Sequence, residues 1–332
     1  MQALLKKAEK YNTLTPGEAE KLYGIPDHEI LTLFTTANRI KIRCFGNHVD
    51  LCSLINAKSG NCPENCAFCS QSIHNKANIN KYDLTSKETI LTRALEMERA
   101  GAHRFCIVIS GRMISRQMER RKILESIELI KRKTQLRTCA SLGFLDQKWA
   151  ENLVNSGLDR YHHNLETARS FYHRICTTHS YDKRIETVHI AADAGLEICC
   201  GGIWGLGEST GQRIELAFAL RKLPIDSIPI NLLNPIPGTR LENMPLEPPL
   251  NHLKMVSVYR LLFPKTEIRF AGGREINLRQ LQPLGLLAGA NGLMIGHYLT
   301  TLGRSTQEDI SMLNDLGLSF DKYPEHAMKK MS

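Results

Sequence analysis

Apolar and polar positions along the chain change their spacing again and again, and that change predicts the architecture. Residues 1–45 carry apolar positions at helical spacing, with Thr15 placed as an N-cap, Pro16 at the first helical position and Gly24 as a stop. From about residue 49 short β-rich runs take over: HVDLCSLI, RFCIVIS, LRTCASLG, RYHHNLE, EICCGGIWG, SIPINLL, TEIRFAG and GLMIG, eight in all. Helical patterns lie between most of them. One opens on Thr85 and Glu88 as a capping box, carries Ile90, Leu91, Ala94 and Leu95, and stops at Gly101. Others cover roughly 116–133, 146–157, 183–195, 210–222, 249–262 and 276–288. Strands joined by crossover helices pair in parallel, and eight such units close into a (β/α)8 TIM-type barrel. A doubly wound sheet is the other arrangement this alternation supports. The expected segments are an N-terminal helical extension at 1–45, the barrel at 46–303, and a C-terminal helix and tail at 304–332.

Alternate residues of a strand face opposite sides. One phase holds Arg104, Cys106, Val108 and Ser110; the other holds Phe105, Ile107 and Ile109. The same split sets Arg137, Cys139 and Ser141 against Thr138, Ala140 and Leu142. It sets His162, Asn164 and Glu166 against Tyr161, His163 and Leu165. Glu197 and Cys199 oppose Ile198 and Cys200, Asn231 opposes Ile230 and Leu232, and Glu267 and Arg269 oppose Ile268 and Phe270. The apolar phase must pack beneath the helices, so the polar and thiol phase faces the lumen. Barrel interiors are ordinarily filled by branched aliphatic side chains. Buried charges need partners. A lumen this polar predicts a bound cofactor and substrate; an internal salt-bridge network is the other reading.

Composition narrows the class. With 42% hydrophobic and 23% charged residues in 332, the chain matches a soluble globular protein able to bury a full core. The net charge of +9 suits an acidic partner protein or an anionic substrate. Its basic residues are scattered apart from MERRKI and KRK, without interleaved aromatics, which argues against nucleic acid. The start, MQALLKKAEKYN, has no long apolar run and does not read as a secretory signal. Leu281–Gly303 lacks Asp, Glu, Lys and Arg, yet it contains Pro283, Asn291, His297 and five glycines. It therefore reads as a helix, a buried strand and a loop, not a membrane span. The expected location is the cytoplasm, where ten cysteines serve metals or catalysis and not disulfides.

The stretch SGNCPENCAFCSQS places Cys62, Cys66 and Cys69 at C-x3-C-x2-C. Zinc sites usually add a second pair of ligands, and none follows at such spacing. His74 stands near enough in sequence to complete a Cys3His set. Four-thiolate ferredoxin spacing is missing as well. A three-thiolate iron–sulfur cube leaves one iron open, and an open position can take a cofactor or substrate.

With Phe68 before its last cysteine, this motif resembles the signature of the radical S-adenosylmethionine superfamily. The wider stretches NAKSGNCPENCAFCSQS, RFCIVIS, HNLET, TTHSYDKRIET, GGIWGLGE, IPINLL, IRFAGGREINLRQLQPLGLLAGAN and YLTT resemble, in order, the biotin synthase family over about residues 45–303. The resemblance implies a 4Fe–4S cube on Cys62, Cys66 and Cys69 whose open iron binds S-adenosylmethionine. It implies a 5′-deoxyadenosyl radical, dethiobiotin as substrate, and sulfur drawn from an auxiliary 2Fe–2S cluster on Cys106, Cys139, Cys199 and Arg269. Asn164 and Glu166 match positions for the cofactor ribose, Arg184 for its carboxylate, and Ile203 for packing on adenine. Asn231 matches a position for the ureido ring, and Thr300 and Thr301 a loop over the substrate carboxylate. His162 and Glu166 depart from the better-known members, which carry Asn and Asp there. Cys176 is additional, and an auxiliary cluster larger than 2Fe–2S, with Cys176 as a further ligand, stays open. Cys200 falls on the outer phase as a core residue. A homodimer and a flavodoxin or ferredoxin as electron donor are implied by the same likeness. His162 keeps open another radical enzyme of this barrel subfamily, acting on a different small molecule. A metal-bearing binding module for nucleic acid or a partner rests on charge alone.

Overall fold

Local capping and strand phase set the frame. In the computed structural model, which describes residues 1–11 and 13–321, Thr15 caps α2 (Pro16–Tyr23). Its hydroxyl accepts from the Glu18 N–H, and the Glu18 carboxylate accepts from the Thr15 N–H at 2.8 Å, closing a capping box. With α1 (Gln2–Tyr11) and α3 (Ile30–Phe45), this helix forms the N-terminal layer. The tail of the expected 304–332 segment, from residue 322 onward, lies outside the described residues.

Among the described residues nine strand segments follow: β1 (Asp50–Lys58), β2 (Arg104–Ile109), β3 (Arg137–Ser141), β4 (Arg160–His162), β5 (Glu197–Cys199), β6 (Gly202–Trp204), β7 (Ser227–Leu232), β8 (Glu267–Phe270) and β9 (Gly292–Met294). Every pairing between them is parallel. β5 and β6 are the halves of the single run EICCGGIWG, and both pair with β7, so the ring closes on eight positions. The doubly wound alternative is excluded by that closure. The break between β5 and β6 comes from close backbone approach. A Cβ at Gly201 would lie 2.3 Å from the Pro229 carbonyl oxygen, and one at Gly202 would lie 2.4 Å from that of Glu166. Only glycine fits there.

The outer ring holds α4 (Lys87–Arg99), α5 (Gln117–Lys133), α6 (Gln147–Asn155), α7 (Arg169–Ile175), α8 (Tyr181–Asp193), α9 (Thr210–Leu220), α10 (Pro249–Leu262), α11 (Arg274–Leu278) and α12 (Gln282–Leu287). Three expectations need correction. The cap of α4 is Ser86, not Thr85: its hydroxyl accepts from the Thr89 N–H at 3.1 Å, while the Thr85 N–H is taken by the Ala57 carbonyl. The helix expected over 276–288 is broken into α11, a short 3-10 turn at 279–281, and α12, whose first turn carries Pro283. α7 was not expected at all. No helix among the described residues is long and apolar enough to cross a membrane.

The outward phase of the strands packs as expected. Phe105, Ile107, Tyr161, Ile198, Ile228, Ile268 and Phe270 are buried with Ile123, Trp149, Leu153, Val188 and Leu216 of the helices in one cluster. Cys200 belongs to that cluster, in keeping with its outer phase. The C-terminal α13 (Thr306–Asp315) is pinned to the barrel by an ion pair between Asp309 and Arg274 at 2.6 Å, whose side chains are 0% and 1% exposed. Removing one partner of a buried pair strands the other charge. Asp309→Ala is therefore expected to lower unfolding free energy by roughly 3–5 kcal/mol in urea titration. A change under ~1 kcal/mol would show that the pair is not what fixes α13.

Candidate active site

The loop after β1 leaves the C-terminal end of the barrel, where catalytic groups of such barrels gather. Its backbone closes on itself: the Cys62 N–H donates to the Gln71 carbonyl at 3.0 Å, and the Ile73 N–H to the Cys62 carbonyl at 2.9 Å. The Asn75 amide donates to the carbonyls of Cys66 and Cys69 at 3.1 and 2.8 Å. All three thiols thereby face one cavity of about 380 Å³. Burial pushes the Cys69 thiol up to about 11 and raises Cys62; contact with Cys176, together with burial, raises Cys66. Protonated thiols must give up protons to a metal, which makes loading pH-dependent. His74 is exposed and its ring meets the Pro63 carbonyl at 3.1 Å, so it does not complete a fourth ligand.

The same cavity runs down the lumen. Its walls include His162, Asn164, Glu166, Ile203, Asn231, Thr300 and Thr301, with Cys106, Cys139, Cys199 and Arg269 below them. Strand register explains the thiol cluster: Cys106 of β2 stands opposite Cys139 of β3, and His162 of β4 opposite Cys199 of β5. The contact with Cys106 lowers the Cys139 thiol, helped by the charges of Arg104, Arg160 and Arg269, while Cys106 is raised. Burial pushes Cys199 up to about 12 and Cys52, from β1, up to about 11.

Beneath the thiols lies a network of charges. Arg160 bonds Glu197 at 3.0 Å and Glu267 at 3.2 Å. Arg269 is clamped by Asp50 and by Glu267, which keeps its guanidinium firmly cationic. The salt-bridge reading therefore holds for the lower lumen, while the polar and thiol groups above it stay open to the cavity. Arg104 differs from its neighbours. It is 3% exposed, yet its Nε and Nη1 have no hydrogen-bond partner among the described residues. Unmet buried donors beside a lowered thiol suit an anionic group held on the three sulfurs.

Above the thiols, Asn164 connects three groups. Its Oδ1 accepts from the Gly201 N–H at 3.1 Å and meets His162 Nε2 at 3.0 Å, and its amide donates to Glu166 at 3.3 Å. Glu166 takes a left-handed backbone, φ +70°, and its carbonyl accepts from the Ile203 N–H at 2.7 Å. Strain of that kind in a non-glycine residue clusters at functional sites. Arg184 stands outside the cavity lining and braces the wall from behind, donating to the Asn164 carbonyl at 2.9 Å and to Glu166 at 3.3 Å. Over the opening, the Thr300 and Ser70 hydroxyls lie 2.8 Å apart.

His162 titrates far from neutrality. Burial lowers it from 6.5 to about 4, partly opposed by the Asn164 bond. A folded imidazole that protonates only near 4 contributes stability that is complete above 6.5 and is lost as pH falls from 6.5 towards 4. Ring-nitrogen NMR on ¹⁵N-histidine protein, assigned by His162→Asn, should show a neutral ring at pH 6. An imidazolium signal there would overturn this reading.

Cys176 requires a correction. Its sulfur lies against Cys66 and His179, outside the cavity lining, and not with Cys106, Cys139 and Cys199. α7 carries it to the cube loop, so it is no ligand of a cluster on the lower thiols. The sequence places Arg104 on the lumen phase with Cys106 without giving it a role, and Arg160, which shares the phase of His162, goes unnamed there.

Comparison with known proteins agrees with this geometry. A family model described as the radical SAM superfamily matches residues 57–220, and one described as the biotin and thiamin synthesis associated domain matches 229–319. The chain is 48% identical over 317 residues to a biotin synthase of Carboxydothermus hydrogenoformans, covering 95% of this chain and 98% of that protein. It is 49% identical over 316 residues to one from Pelotomaculum thermopropionicum, with the same coverage of 95% and 98%. Among solved structures, a methylornithine synthase superposes with TM-score 0.84 at 22% identity, covering 99% of this chain and all of that one. An FeFe-hydrogenase maturase from Carboxydothermus hydrogenoformans superposes with TM-score 0.80 at 20% identity, covering 96% and 78%. These last two speak for the barrel alone. Identity near one half along almost the whole length, on a barrel in which one continuous cavity joins a three-cysteine loop to three lumen thiols, makes the chain a member of the biotin synthase family of radical S-adenosylmethionine enzymes.

Proposed function

We propose that the chain inserts sulfur into dethiobiotin to give biotin, with its sulfur drawn from an auxiliary cluster on the lumen thiols. The observation that carries this is the continuity of the cavity from Cys62, Cys66 and Cys69 to Cys106, Cys139 and Cys199. When bound, the cube supplies an electron that splits S-adenosylmethionine into methionine and a 5′-deoxyadenosyl radical, and the auxiliary cluster supplies sulfur.

The chain's own residues would bind and orient. Glu166 and Asn164 offer a carboxylate and an amide to ribose hydroxyls, fixed by Arg184 behind them. Ile203 gives adenine an apolar face on the cavity wall. Asn231, whose Oδ1 accepts from the Gly272 N–H at 3.1 Å and whose amide donates to the Gly202 carbonyl at 3.3 Å, lines the lumen where a ureido ring would be met. A neutral His162, its Nε2–H donating to the Asn164 Oδ1, keeps Nδ1 as an acceptor for a ureido N–H. Thr300 and Thr301 would close over the substrate carboxylate and exclude water. Arg269, held cationic by two carboxylates, serves the lower thiols as a countercharge, and the thiolates do the ligating. The charge of +9 favours an acidic flavodoxin or ferredoxin as donor.

Anaerobic reconstitution with iron, sulfide, S-adenosylmethionine, a reductant and dethiobiotin should yield biotin and 5′-deoxyadenosine together. 5′-Deoxyadenosine without biotin would point to a different small-molecule substrate on the same barrel.

A further inference from the structure

A fourth thiol stands beside the three in the lumen and has no task in the chemistry above. Cys52 of β1 is buried and lines the same cavity as Cys106, Cys139 and Cys199. The contact its sulfur makes is weak: it donates to the adjacent Ser53 carbonyl at 3.6 Å.

Strand register fixes the level of Cys52. The lumen of such a barrel is filled in layers of four side chains, contributed by alternate strands. Cys52 pairs with Arg104 and Arg104 with Arg137, and two residues along β3 stands Cys139. The same step leads from Cys139 through Arg160 and Glu197 to Cys199. It leads from Cys199 through Ser227 and Glu267 to Arg269, and from Arg269 through Gly292 and Asp50 back to Cys52. The circuit closes, so Cys52, Cys139, Cys199 and Arg269 form one layer. Cys106 joins it from β2, between β1 and β3, in contact with Cys139.

Arg269 is the member of this layer least suited to iron. Its Nε donates to Glu267 at 2.8 Å, its Nη2 is held by Asp50 and Glu267, and a guanidinium keeps its proton. Removing it from the set leaves four thiols, the ordinary ligand set of 2Fe–2S and 4Fe–4S clusters. Among the described residues no three of these sulfurs lie within 4.8 Å of one another. That spread does not suit a single tetrahedral ion, whose thiolates sit under ~4 Å apart. A cluster divides its thiolates among several irons. Arg104, the register partner of Cys52, adds an independent sign: its buried Nε and Nη1 lack partners at the cavity wall, as donors awaiting an anion would.

We infer that the cluster of the lower lumen is held by four thiolates, Cys52, Cys106, Cys139 and Cys199, with Arg269 as countercharge and not as ligand. The inference deepens the function proposed above and rests on it, because it requires a cluster on the lumen thiols.

The test is anaerobic reconstitution with ⁵⁷Fe and sulfide, read without turnover by iron and sulfide counts, Mössbauer spectra and resonance Raman. Cys52→Ala should lose the lumen-cluster iron and keep the cube, whose EPR signal on reduction, altered by S-adenosylmethionine, shows that the chain has folded. Cys52→Ser, which keeps the shape of the side chain, should shift the iron–thiolate stretching bands. Arg269→Lys, which keeps the charge, should leave the lumen-cluster spectra as they are in the unaltered chain. Lumen-cluster iron and spectra unchanged in both Cys52 variants would overturn the inference, as would spectra altered by Arg269→Lys alone. Cys139→Ala tells the two possible failures apart. If it removes the lumen signal and Cys52→Ala does not, the cluster stands and only the fourth ligand is wrong. An unaltered chain that takes up the iron of the cube and no more would overturn the lumen cluster, and this inference with it.

Discussion

Cys66→Ala is expected to abolish 5′-deoxyadenosine formation, with or without dethiobiotin. The expected loss is on the order of 10⁴-fold or more, the scale seen when one member of a catalytic unit is removed. Cys66 is the middle thiol of the loop, 9% exposed, and its carbonyl is tied down by the Asn75 amide. Its sulfur faces the cavity together with those of Cys62 and Cys69. Loss of one thiolate leaves two to hold a cube that already lacks a fourth. Replacement by alanine also removes little volume, so the loop bonds between Cys62, Gln71 and Ile73 should survive. Chromatography of the dithionite-driven reaction, alongside iron counts and circular dichroism, checks the expectation. Cleavage at the unaltered rate in a folded variant would sink the assignment of this loop as the radical-generating site.

Strand phase was legible in the sequence because period-2 patterning is a local property. It put Cys106, Cys139 and Cys199 on the lumen side before any register was known, and the cavity lining agrees. Register was not legible. Nothing in RFCIVIS and LRTCASLG says that Cys106 pairs with Cys139 and not with a neighbour; packing across the whole ring decides that. Cys176 shows the opposite failure. The sequence leaves open whether it joins the lower thiols, because α7 decides which cluster of thiols it meets. RSFYHRI is seven residues long, too short for helical periodicity to separate it from a loop. The split of EICCGGIWG was missed for a related reason. Its two glycines admit the Pro229 and Glu166 carbonyls, which are distant in sequence.

Cys139→Ala should separate the two halves of the chemistry: S-adenosylmethionine cleavage stays within a few-fold, while biotin falls to background, a loss on the order of 10³-fold or more. Cys139 lies inside β3, beneath the radical-generating loop, and shares its contacts with Cys106 and not with Cys66. Its thiol is lowered by contact with Cys106 and by the charges of Arg104, Arg160 and Arg269, which favour a thiolate in this pair. Alanine there leaves the unmet Arg104 donors facing a neutral wall. Any anionic sulfur-bearing group on the lower thiols would then lose a ligand and gain nothing in exchange, whereas Asn164, Glu166 and Arg184 keep their mutual bonds. Parallel quantification of 5′-deoxyadenosine and biotin in single turnover decides the matter. Biotin at the unaltered yield would mean that the sulfur does not come from this part of the lumen, even if the barrel and its radical loop are assigned correctly.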